Sequence, residues 1–303
     1  MTIAITGATG FVGQAVVAEA CRRGVALRAL ARREQPACEG VNWVRGDLAD
    51  QAALAALVEG AEAVLHVAGV VNTPDPTGFH LGNVAGTEAL VAAAAEAGVA
   101  RFVFVSSLAA REPGLSAYGR SKRHAEEVVQ TSTLEWTIVR PPAIYGPRDR
   151  EILELFRMAR RWGVVPMPPA GRASIVHVED LARLLLALVP GGPAIRARIF
   201  EPDDGHAGGW SHVELARAIG AAVGRKVLVP QLPKAMLSGA ARLDRLWRRD
   251  KAKLTADRVG YMAHPDWVSA PGHAVPVEFW TPWIETREGL EGTARWYREQ
   301  GWL

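Results

Sequence analysis

Short apolar runs alternate with longer segments of mixed polarity through the first two thirds of the chain. Each run is short enough for a strand, and the segments between them place apolar residues three and four positions apart, which is typical of amphipathic helices. This alternation predicts an α/β fold, a doubly wound parallel sheet with helices on both faces. The predicted strands are 3–5, 26–31, 41–45, 63–67, 101–105, 136–139 and 199–200.

The pattern becomes less regular after residue 143. A helix at 151–162 and a strand with its helix at 175–188 come before the apolar pair at 199–200, which we expect to rejoin the sheet. We therefore predict two interleaved domains, of which the smaller, C-terminal one holds the substrate. The larger domain comprises residues 1–143 and 174–202, and the smaller comprises 144–173 and 203–303.

Composition limits the classes of function. The chain has 303 residues, 49% of them hydrophobic, which is ample for a large core. The net charge of +3, without basic runs interleaved with aromatic residues, predicts no nucleic-acid partner. No stretch approaches the roughly 20 apolar residues of a spanning helix, and the N-terminus enters a strand directly, so we expect a cytoplasmic protein. The two cysteines indicate plain thiols and no metal site.

A glycine-rich string, GATGFVG, follows the first apolar run and precedes a helical pattern. Gly7 permits a sharp turn, Gly10 lets backbone N–H groups approach a pyrophosphate, and Gly13 lets the helix lie close to the sheet. The helix N-terminus favours the same anion. The string predicts a dinucleotide site, and an ordinary glycine-rich turn is the alternative. The predicted cofactor contacts in this loop are Gly7, Thr9, Gly10, Phe11, Val12 and Gly13.

Two arginines, Arg32 and Arg33, end the second predicted strand, where the adenosine ribose of a dinucleotide should lie. Enzymes that prefer NAD place a carboxylate here, whereas a guanidinium matches a 2′-phosphate in charge and geometry. We therefore predict NADP as the cofactor, with NAD as the alternative, unless the arginines are a solvated surface pair. The fourth strand ends in Ala68 and Gly69, whose small size allows close approach of the cofactor, and we interpret His66 within it as a packed histidine.

A tyrosine, a lysine and two serines supply candidate chemistry. Tyr118 and Lys122 are four residues apart on a predicted helix and share one face. A phenol gives a proton to a developing alkoxide at neutral pH only if its pKa falls below the usual value of about 10, and a nearby lysine cation lowers that pKa. Ser107 ends the fifth strand and can hold the same oxygen, and Ser106 is the alternative. The pattern predicts hydride transfer between a carbonyl and a secondary alcohol.

These motifs together resemble the extended short-chain dehydrogenase/reductases. The resemblance includes the spacing GxxGxxG, the YxxxK helix after a strand that ends in two serines, and the string RPPAIYGP at 140–147. It is strongest toward the dihydroflavonol reductase and hydroxysteroid dehydrogenase branch. It implies a Rossmann-type, NAD(P)-dependent oxidoreductase that acts on an apolar small molecule, with Tyr118 and Lys122 also contacting the cofactor.

The resemblance implies roles for further residues. The aspartate matching Asp47 binds the adenine amino group, the residue matching Leu48 contacts the ring, and the asparagine matching Asn83 positions the lysine. The segment with Pro141 and Ile144 leaves backbone groups for the nicotinamide carboxamide. The alternatives are a turn aspartate at Asp47 and an ordinary polar helix residue at Asn83.

Two other functions stay open from the sequence. Sugar-nucleotide epimerases and dehydratases commonly carry an asparagine for the substrate phosphates at the position of Ala143, and this chain does not. A dinucleotide-sensing regulator without turnover is the second, but such proteins usually lack the tyrosine and lysine. Dimers through helices of the nucleotide-binding domain are common in the family, so a homodimer is a further expectation.

The segment 232–249 predicts an amphipathic, basic helix. In helices of this kind the apolar stripe more often packs against the helix's own domain, and we expect that here. The alternative is peripheral contact with an anionic membrane, which would suit a sterol-like or long-chain lipid ketone such as an oxo-ceramide. The stripe comprises Met236, Ala240, Leu243 and Trp247, and the opposite face carries Arg242, Arg245, Arg248 and Arg249.

Overall fold

The computed structural model describes residues 1–73, 75–233, 235–236, 239, 256–262 and 264–303. Its strands are β1 (Thr2–Thr6), β2 (Ala26–Ala31), β3 (Val41–Arg45), β4 (Ala63–His66), β5 (Arg101–Val105), β6 (Glu135–Val139), β7 (Ala143–Tyr145), β8 (Arg172–Ala173), β9 (Ile175–His177), β10 (Arg198–Phe200), β11 (Trp210–Ser211) and β12 (Asp266–Trp267). Its helices are α1 (Phe11–Arg22), α2 (Gln51–Val58), α3 (Thr77–Phe79), α4 (Gly86–Glu96), α5 (Ala117–Gln130), α6 (Leu153–Trp162), α7 (Val178–Leu188), α8 (His212–Ala222), α9 (Ala256–Met262) and α10 (Thr286–Glu299). A π-helical segment, His80–Ala85, lies between α3 and α4, and 3₁₀ turns occupy Leu108–Arg111 and Pro271–His273.

The chain divides into two compact units, and their bounds differ from the predicted ones. The predicted return of residues 199–200 to the first sheet is confirmed, because β10 pairs with β6. Residues 174–180 belong to the second unit instead of the first, because β9 pairs with β7 in a separate sheet. The first unit comprises Met1–Pro141, Leu181–Glu201 and His273–Thr281, and the second comprises Pro142–Asp180, Pro202–Gly272 and Pro282–Leu303.

The first unit contains a seven-stranded parallel sheet in the order β10-β6-β5-β4-β1-β2-β3. Successive strands are added on one side of β1 up to β3 and on its other side from β4 onward. Ligands of doubly wound sheets bind beside the carboxyl ends of the strands at such a reversal. The predicted doubly wound parallel sheet is therefore confirmed, and its reversal lies between β1 and β4.

Continuous apolar strands give the first unit its core. Ile3, Ala4 and Ile5 are fully buried, as expected for a parallel strand that is covered on both faces. One cluster packs side chains of α2, α4 and α5 together with the sheet, and Leu54 and Phe102 are among its buried members. The strand ends that carry the candidate site therefore project from a close-packed platform.

The second unit has a separate core around α6, α8 and α10. Its sheets are short, a three-stranded one in the order β11-β8-β12 and the two-stranded pair β7-β9. Trp210 is buried in this core, and Trp296 and Trp302 pack against it. These three tryptophans therefore contribute to the core of the second unit, whereas Trp283 is 75% exposed.

None of the described helices is both long enough and apolar enough to cross a bilayer. Of the predicted basic helix at 232–249, the structure describes only residues 232–233, 235–236 and 239. Met236 of the predicted stripe is exposed. The remaining residues of the stripe and all four of its arginines lie outside the described residues.

Candidate active site

The glycine loop joins β1 to α1 in a conformation that excludes side chains at two positions. Gly7 has φ +74°, and a Cβ there would lie 2.6 Å from the Ala68 nitrogen. A Cβ on Gly13 would overlap the Gly7 carbonyl oxygen. The helix starts directly after Gly10 without a side-chain cap, so its first N–H groups are available to an anion. This cradle fits the pyrophosphate of a dinucleotide.

The other predicted loop contacts lie in the same turn. Thr9 is exposed, and its carbonyl accepts a hydrogen bond of 2.8 Å from the Gln14 side chain. Phe11 and Val12 are half-buried in the first turn of α1. Their contacts with a cofactor stay predictions.

The end of β4 brings the glycine loop close to the predicted catalytic residues. The Ala68 N–H donates to the Thr6 hydroxyl over 3.3 Å, which fixes the backbone next to Gly7. A Cβ on Gly69 would lie 3.2 Å from Asn83 Oδ1 and 3.6 Å from Lys122 Nζ. The absence of a side chain at Gly69 therefore lets Asn83 and Lys122 lie close to the backbone at the end of β4.

The predicted ribose site is a hollow at the ends of β2 and β3. Arg32 lines it together with Arg45, Gly46, Asp47 and Asp50. Arg45 was not predicted, although the parallel register that pairs it with Ala31 brings it beside Arg32. The predicted partner Arg33 is exposed and is not among the lining residues.

Asp47 and Leu48 occupy the turn that follows this hollow. Asp47 Oδ1 accepts a hydrogen bond of 2.9 Å from the Ala49 N–H. This aspartate therefore stabilises a turn, which is the alternative role that the sequence allowed for it. Leu48 is half-buried, and a Cβ on Gly86 would meet its side chain. Recognition of adenine by either residue stays a prediction.

Tyr118 and Lys122 lie one turn apart on α5. The helix is capped by Ser116, whose hydroxyl accepts from the Gly119 N–H over 2.9 Å. Tyr118 is half-buried, with its ring centroid 5.9 Å from that of Phe79. The cap and the ring contact together fix the position of the phenol at the start of the helix.

Lys122 is buried at the carboxyl end of β5. Its Nζ donates to the Val105 carbonyl over 2.8 Å and lies 4.4 Å from the centroid of the Phe104 ring. Burial lowers the pKa of Lys122 to about 8, against an opposing effect of the Glu126 carboxylate. At neutral pH most of the amine is therefore charged, and it titrates closer to neutrality than an exposed lysine does.

The two serines that follow β5 have different surroundings. The Ser106 hydroxyl is buried and donates to Glu126 Oε1 over 2.5 Å. The Ser107 hydroxyl oxygen accepts from the Ala109 N–H over 3.2 Å and is half-buried. Because the Ser106 proton is committed to a carboxylate, the geometry favours Ser107 as the serine that meets a substrate oxygen.

Asn83 lies in the π-helical segment and joins two parts of the site. Its Oδ1 accepts from the Val70 N–H over 2.6 Å, and its Nδ2 donates to the Val70 carbonyl over 2.9 Å. The same amide donates to the Ser121 hydroxyl over 2.9 Å. Asn83 therefore ties the loop after β4 to the residue that precedes Lys122, which is more than an ordinary polar position on a helix.

A buried ion pair beneath these residues was not predicted from the sequence. Glu126 is fully buried and accepts from Arg140 Nε over 2.8 Å and from Nη2 over 2.6 Å. Arg140 also lies 3.5 Å from Glu201. Ser106, which follows β5, donates to Glu126, and Glu201 follows β10. Through these side chains the ion pair links α5 to the carboxyl ends of β5, β6 and β10. One sequence signal could have pointed to Glu126 as part of the site, because it lies one turn after Lys122 on the same face of the helix.

His66 is a packed, satisfied histidine, and that interpretation is confirmed. Its Nδ1 lies 2.6 Å from the Thr6 hydroxyl and its Nε2 lies 2.9 Å from the Thr87 hydroxyl. Burial, with a smaller effect of Lys122, lowers its pKa to about 3. The ring is therefore neutral at physiological pH and is a structural partner of β1 and α4.

Pro141 and Ile144, predicted to flank the nicotinamide, belong to different units. Pro141 is buried, and its carbonyl accepts from the Leu108 N–H over 3.0 Å, so it holds the turn that follows Ser107. Ile144 lies in β7, in register with Val176 of β9. Contact of either residue with a nicotinamide stays a prediction.

Comparison with known proteins agrees with this geometry. Residues 7–189 match the model of a family described as NAD(P)H-binding. A ceramide reductase of Caulobacter vibrioides is 38% identical over 312 residues, which cover 99% of this chain and 96% of that protein. A 2-alkyl-3-oxoalkanoate reductase of Stenotrophomonas maltophilia is 31% identical over 223 residues, which cover 63% of this chain and 67% of that one.

Among solved structures, the crystal structure of gox2253 is similar over the whole chain. The two are 25% identical with a TM-score of 0.80, and the match covers 100% of this chain and 99% of the other. The family match, the full-length relative and the arrangement of the glycine loop and α5 lead to one conclusion. The chain belongs to the NAD(P)H-binding family and is an NAD(P)-dependent oxidoreductase of the extended short-chain dehydrogenase/reductase type.

Proposed function

We propose that the protein is an NADP-dependent reductase that converts a ketone to a secondary alcohol on an apolar, long-chain lipid substrate. The observation that carries the proposal is the position of Lys122. Its buried Nζ lies one helical turn after Tyr118 and donates to the Val105 carbonyl, two residues before Ser107. The likeness to a ceramide reductase over nearly the full length of both chains supports the substrate class.

The proposed reaction consumes a hydride and a proton for each ketone. A nicotinamide cofactor held by the glycine loop would supply the hydride to the carbonyl carbon. Tyr118 donates its phenolic proton to the carbonyl oxygen, and Ser107 holds that oxygen with a hydrogen bond. The proton that Tyr118 gives up is then replaced from solvent, so that ketone, hydride and proton yield the alcohol.

Lys122 makes this proton transfer feasible near neutral pH. Its cation stabilises a phenolate, so it lowers the pKa of the neighbouring phenol. The Val105 carbonyl holds the amine in place, while burial reduces the screening of its charge by water. Asn83 acts indirectly, because its bond to Ser121 fixes the turn of α5 that carries the lysine.

NADP is the proposed cofactor because two guanidinium groups border the hollow at the ends of β2 and β3. Arg32 can receive a 2′-phosphate through two parallel N–H groups, and Arg45 adds a second cation. Asp47 and Asp50 line the same hollow. A 2′-phosphate can therefore bind there only if its attraction to the two arginines exceeds its repulsion by the two carboxylates. This balance makes Arg32 the most informative residue for cofactor preference.

The alternative functions have weaker support. An epimerase or dehydratase of sugar nucleotides would need a polar group for the substrate phosphates at Ala143, which is the first residue of β7. A non-catalytic dinucleotide sensor would have no use for the paired phenol and buried amine. The ketone reductase uses both.

The test is an assay of purified enzyme with NADPH and a panel of ketones. The panel contains an N-acyl 3-oxo-sphingoid base in mixed micelles, a short water-soluble 3-oxo ester and UDP-glucose. We expect the wild-type enzyme to form secondary alcohol from the lipid ketone, identified by mass spectrometry. The Tyr118→Phe variant should form it at no more than about one hundredth of that rate. Turnover of UDP-glucose without reduction of any ketone would contradict the proposal.

A further inference from the structure

Two segments of the second unit carry basic residues without any acidic one. No aspartate or glutamate occurs between Leu155 and Val178, or between Leu215 and Leu243. The basic residues of the first segment are Arg157, Arg160, Arg161 and Arg172, and those of the second are Arg217, Arg225, Lys226, Lys234 and Arg242.

The fold brings these two segments side by side. Val164 forms a parallel bridge with Leu228, and Met167 forms one with Gln231. The Leu228 N–H donates to the Gly163 carbonyl over 2.8 Å, and its carbonyl accepts from the Val165 N–H over 2.9 Å. The end of α6 and the turn after α8 therefore form one continuous surface.

Large apolar side chains are exposed where the two segments meet. Trp162 is 64% exposed at the end of α6, Leu228 is 73% exposed, and Met236 is 58% exposed shortly after. Single exposed apolar residues are ordinary on a protein surface. Here, however, a tryptophan and a leucine are exposed next to several exposed cations, so the surface is both apolar and basic. We call it the basic–apolar surface, defined by Arg160, Arg161, Trp162, Arg225, Lys226 and Leu228.

We infer that the basic–apolar surface docks the protein on the anionic surface of a phospholipid bilayer. The cations would contact lipid phosphates, while Trp162 and Leu228 would enter the boundary between headgroups and acyl chains, where tryptophan is favoured. A nucleic acid or an acidic protein matches the charge but offers no fluid apolar layer to these two side chains. A bilayer matches both properties.

The inference extends the proposed function, because an enzyme whose ketone resides in a bilayer must reach that bilayer. The sequence gives membrane contact through 232–249 only as an alternative, and most of that segment lies outside the described residues. The basic–apolar surface lies on the elements that precede that segment and consists of described residues alone. Docking itself needs neither cofactor nor substrate, so it can be tested separately.

The experiment is flotation of the full-length protein with vesicles in the absence of substrate. Vesicles of phosphatidylcholine and phosphatidylglycerol in equal amounts are compared with vesicles of phosphatidylcholine alone, each at low and high salt. We expect wild-type protein to float with the anionic vesicles at low salt and to bind much more weakly to the neutral ones.

Three variants sharpen this measurement. Trp162→Ser with Leu228→Ser removes the apolar groups, and Arg160→Ala with Arg161→Ala removes two cations. Each pair should weaken binding to anionic vesicles by at least about tenfold. The control combines Val277→Ser, a 79% exposed position of the first unit, with Arg196→Ala, also exposed there, and should bind like wild type.

The outcomes separate docking from catalysis. All variants should reduce a short, water-soluble ketone at the wild-type rate without vesicles, since none of the changed residues belongs to the candidate active site. No flotation of wild type with anionic vesicles at low salt would overturn the inference. Flotation that survives Trp162→Ser with Leu228→Ser would overturn it too, because charge alone would then explain binding. Absence of ketone reduction together with variant-sensitive flotation would reject only the proposed function.

Discussion

The carboxyl edge of the first unit's sheet and the basic–apolar surface of the second unit both concentrate charge, but they hold it in opposite ways. At the sheet edge, Lys122, Glu126 and Arg140 are at most 5% exposed and have fixed hydrogen-bond partners. On the basic–apolar surface, the arginines and the lysine are exposed. A buried charge holds one geometry, which a proton transfer requires. An exposed cation on a long side chain keeps several rotamers, which suits a fluid array of lipid phosphates.

The largest expected effect comes from removing the phenol at the sheet edge. Tyr118→Phe should reduce kcat by roughly 100- to 10,000-fold, because the proposed proton donor is lost while the fold and the predicted cofactor site are kept. The measurement is turnover of the lipid ketone with saturating NADPH, in parallel with NADPH binding by calorimetry. Cofactor affinity should be almost unchanged, since Phe keeps the aromatic ring and the hydroxyl that is lost is proposed to act on the substrate oxygen.

Lys122→Met is the matched comparison for this variant. It should lower turnover and also weaken the cofactor, because the lysine is predicted to contact the nicotinamide ribose. If Tyr118→Phe kept more than a few per cent of the wild-type rate under conditions where chemistry limits turnover, the assignment of the proton donor would be wrong.

A second prediction compares a buried ion pair with an exposed one. Glu126→Gln should destabilise the fold by about 3 kcal/mol or more, because it leaves Arg140 buried without its bidentate partner. Glu127→Gln, next to it on α5 in an exposed pair with Arg123, should change stability by less than about 1 kcal/mol. Urea unfolding measures both. Equal effects would show that burial of the pair does not determine its contribution.

The first unit was largely predictable from polarity alone. The central strands β1, β4 and β5 are buried and nearly continuously apolar. The edge strands β3 and β10 are partly exposed and carry polar residues, yet all seven strands of the sheet were located. The glycine string and the YxxxK motif also encode local geometry, because their spacing fixes which residues share a turn or a helix face. Residues 1–143 therefore contained most of the candidate site.

The parts that were missed depend on contacts between distant residues. Glu126 on α5 and Arg140 after β6 pair because the strand order places β5, β6 and β10 side by side. The sequence around either residue gives no pattern that predicts this pairing. Arg45 joins Arg32 through the register of β3, which a single-sequence pattern does not fix. The second unit uses strands of two and three residues, too short to show any period.

The third prediction concerns the exposed cations that line the hollow at the ends of β2 and β3. Arg32→Ala should weaken NADP by about tenfold to a hundredfold and leave NAD nearly unchanged, because only NADP carries the 2′-phosphate. Arg45→Ala should act in the same direction with a smaller effect, and Arg33→Ala, outside the lining, serves as control. Calorimetry with both cofactors measures this. Equal losses for NADP and NAD would contradict the assignment.

The smallest expected effect is a pH dependence that follows from the burial of Lys122. As pH rises through about 8, the amine of Lys122 loses its proton, so Tyr118 loses the cation that is proposed to assist its proton transfer. The value of kcat/KM for ketone reduction should then fall by up to tenfold per pH unit.

Stability should change in the opposite direction. Because the folded pKa lies below the ordinary value of 10.5, the unfolded chain binds more protons between about pH 8 and 10.5, so the contribution of this group to stability rises with pH across that window. Lys122→Met should remove both trends, and a wild-type profile that stays flat to pH 10 would show that the lysine charge does not limit the reaction.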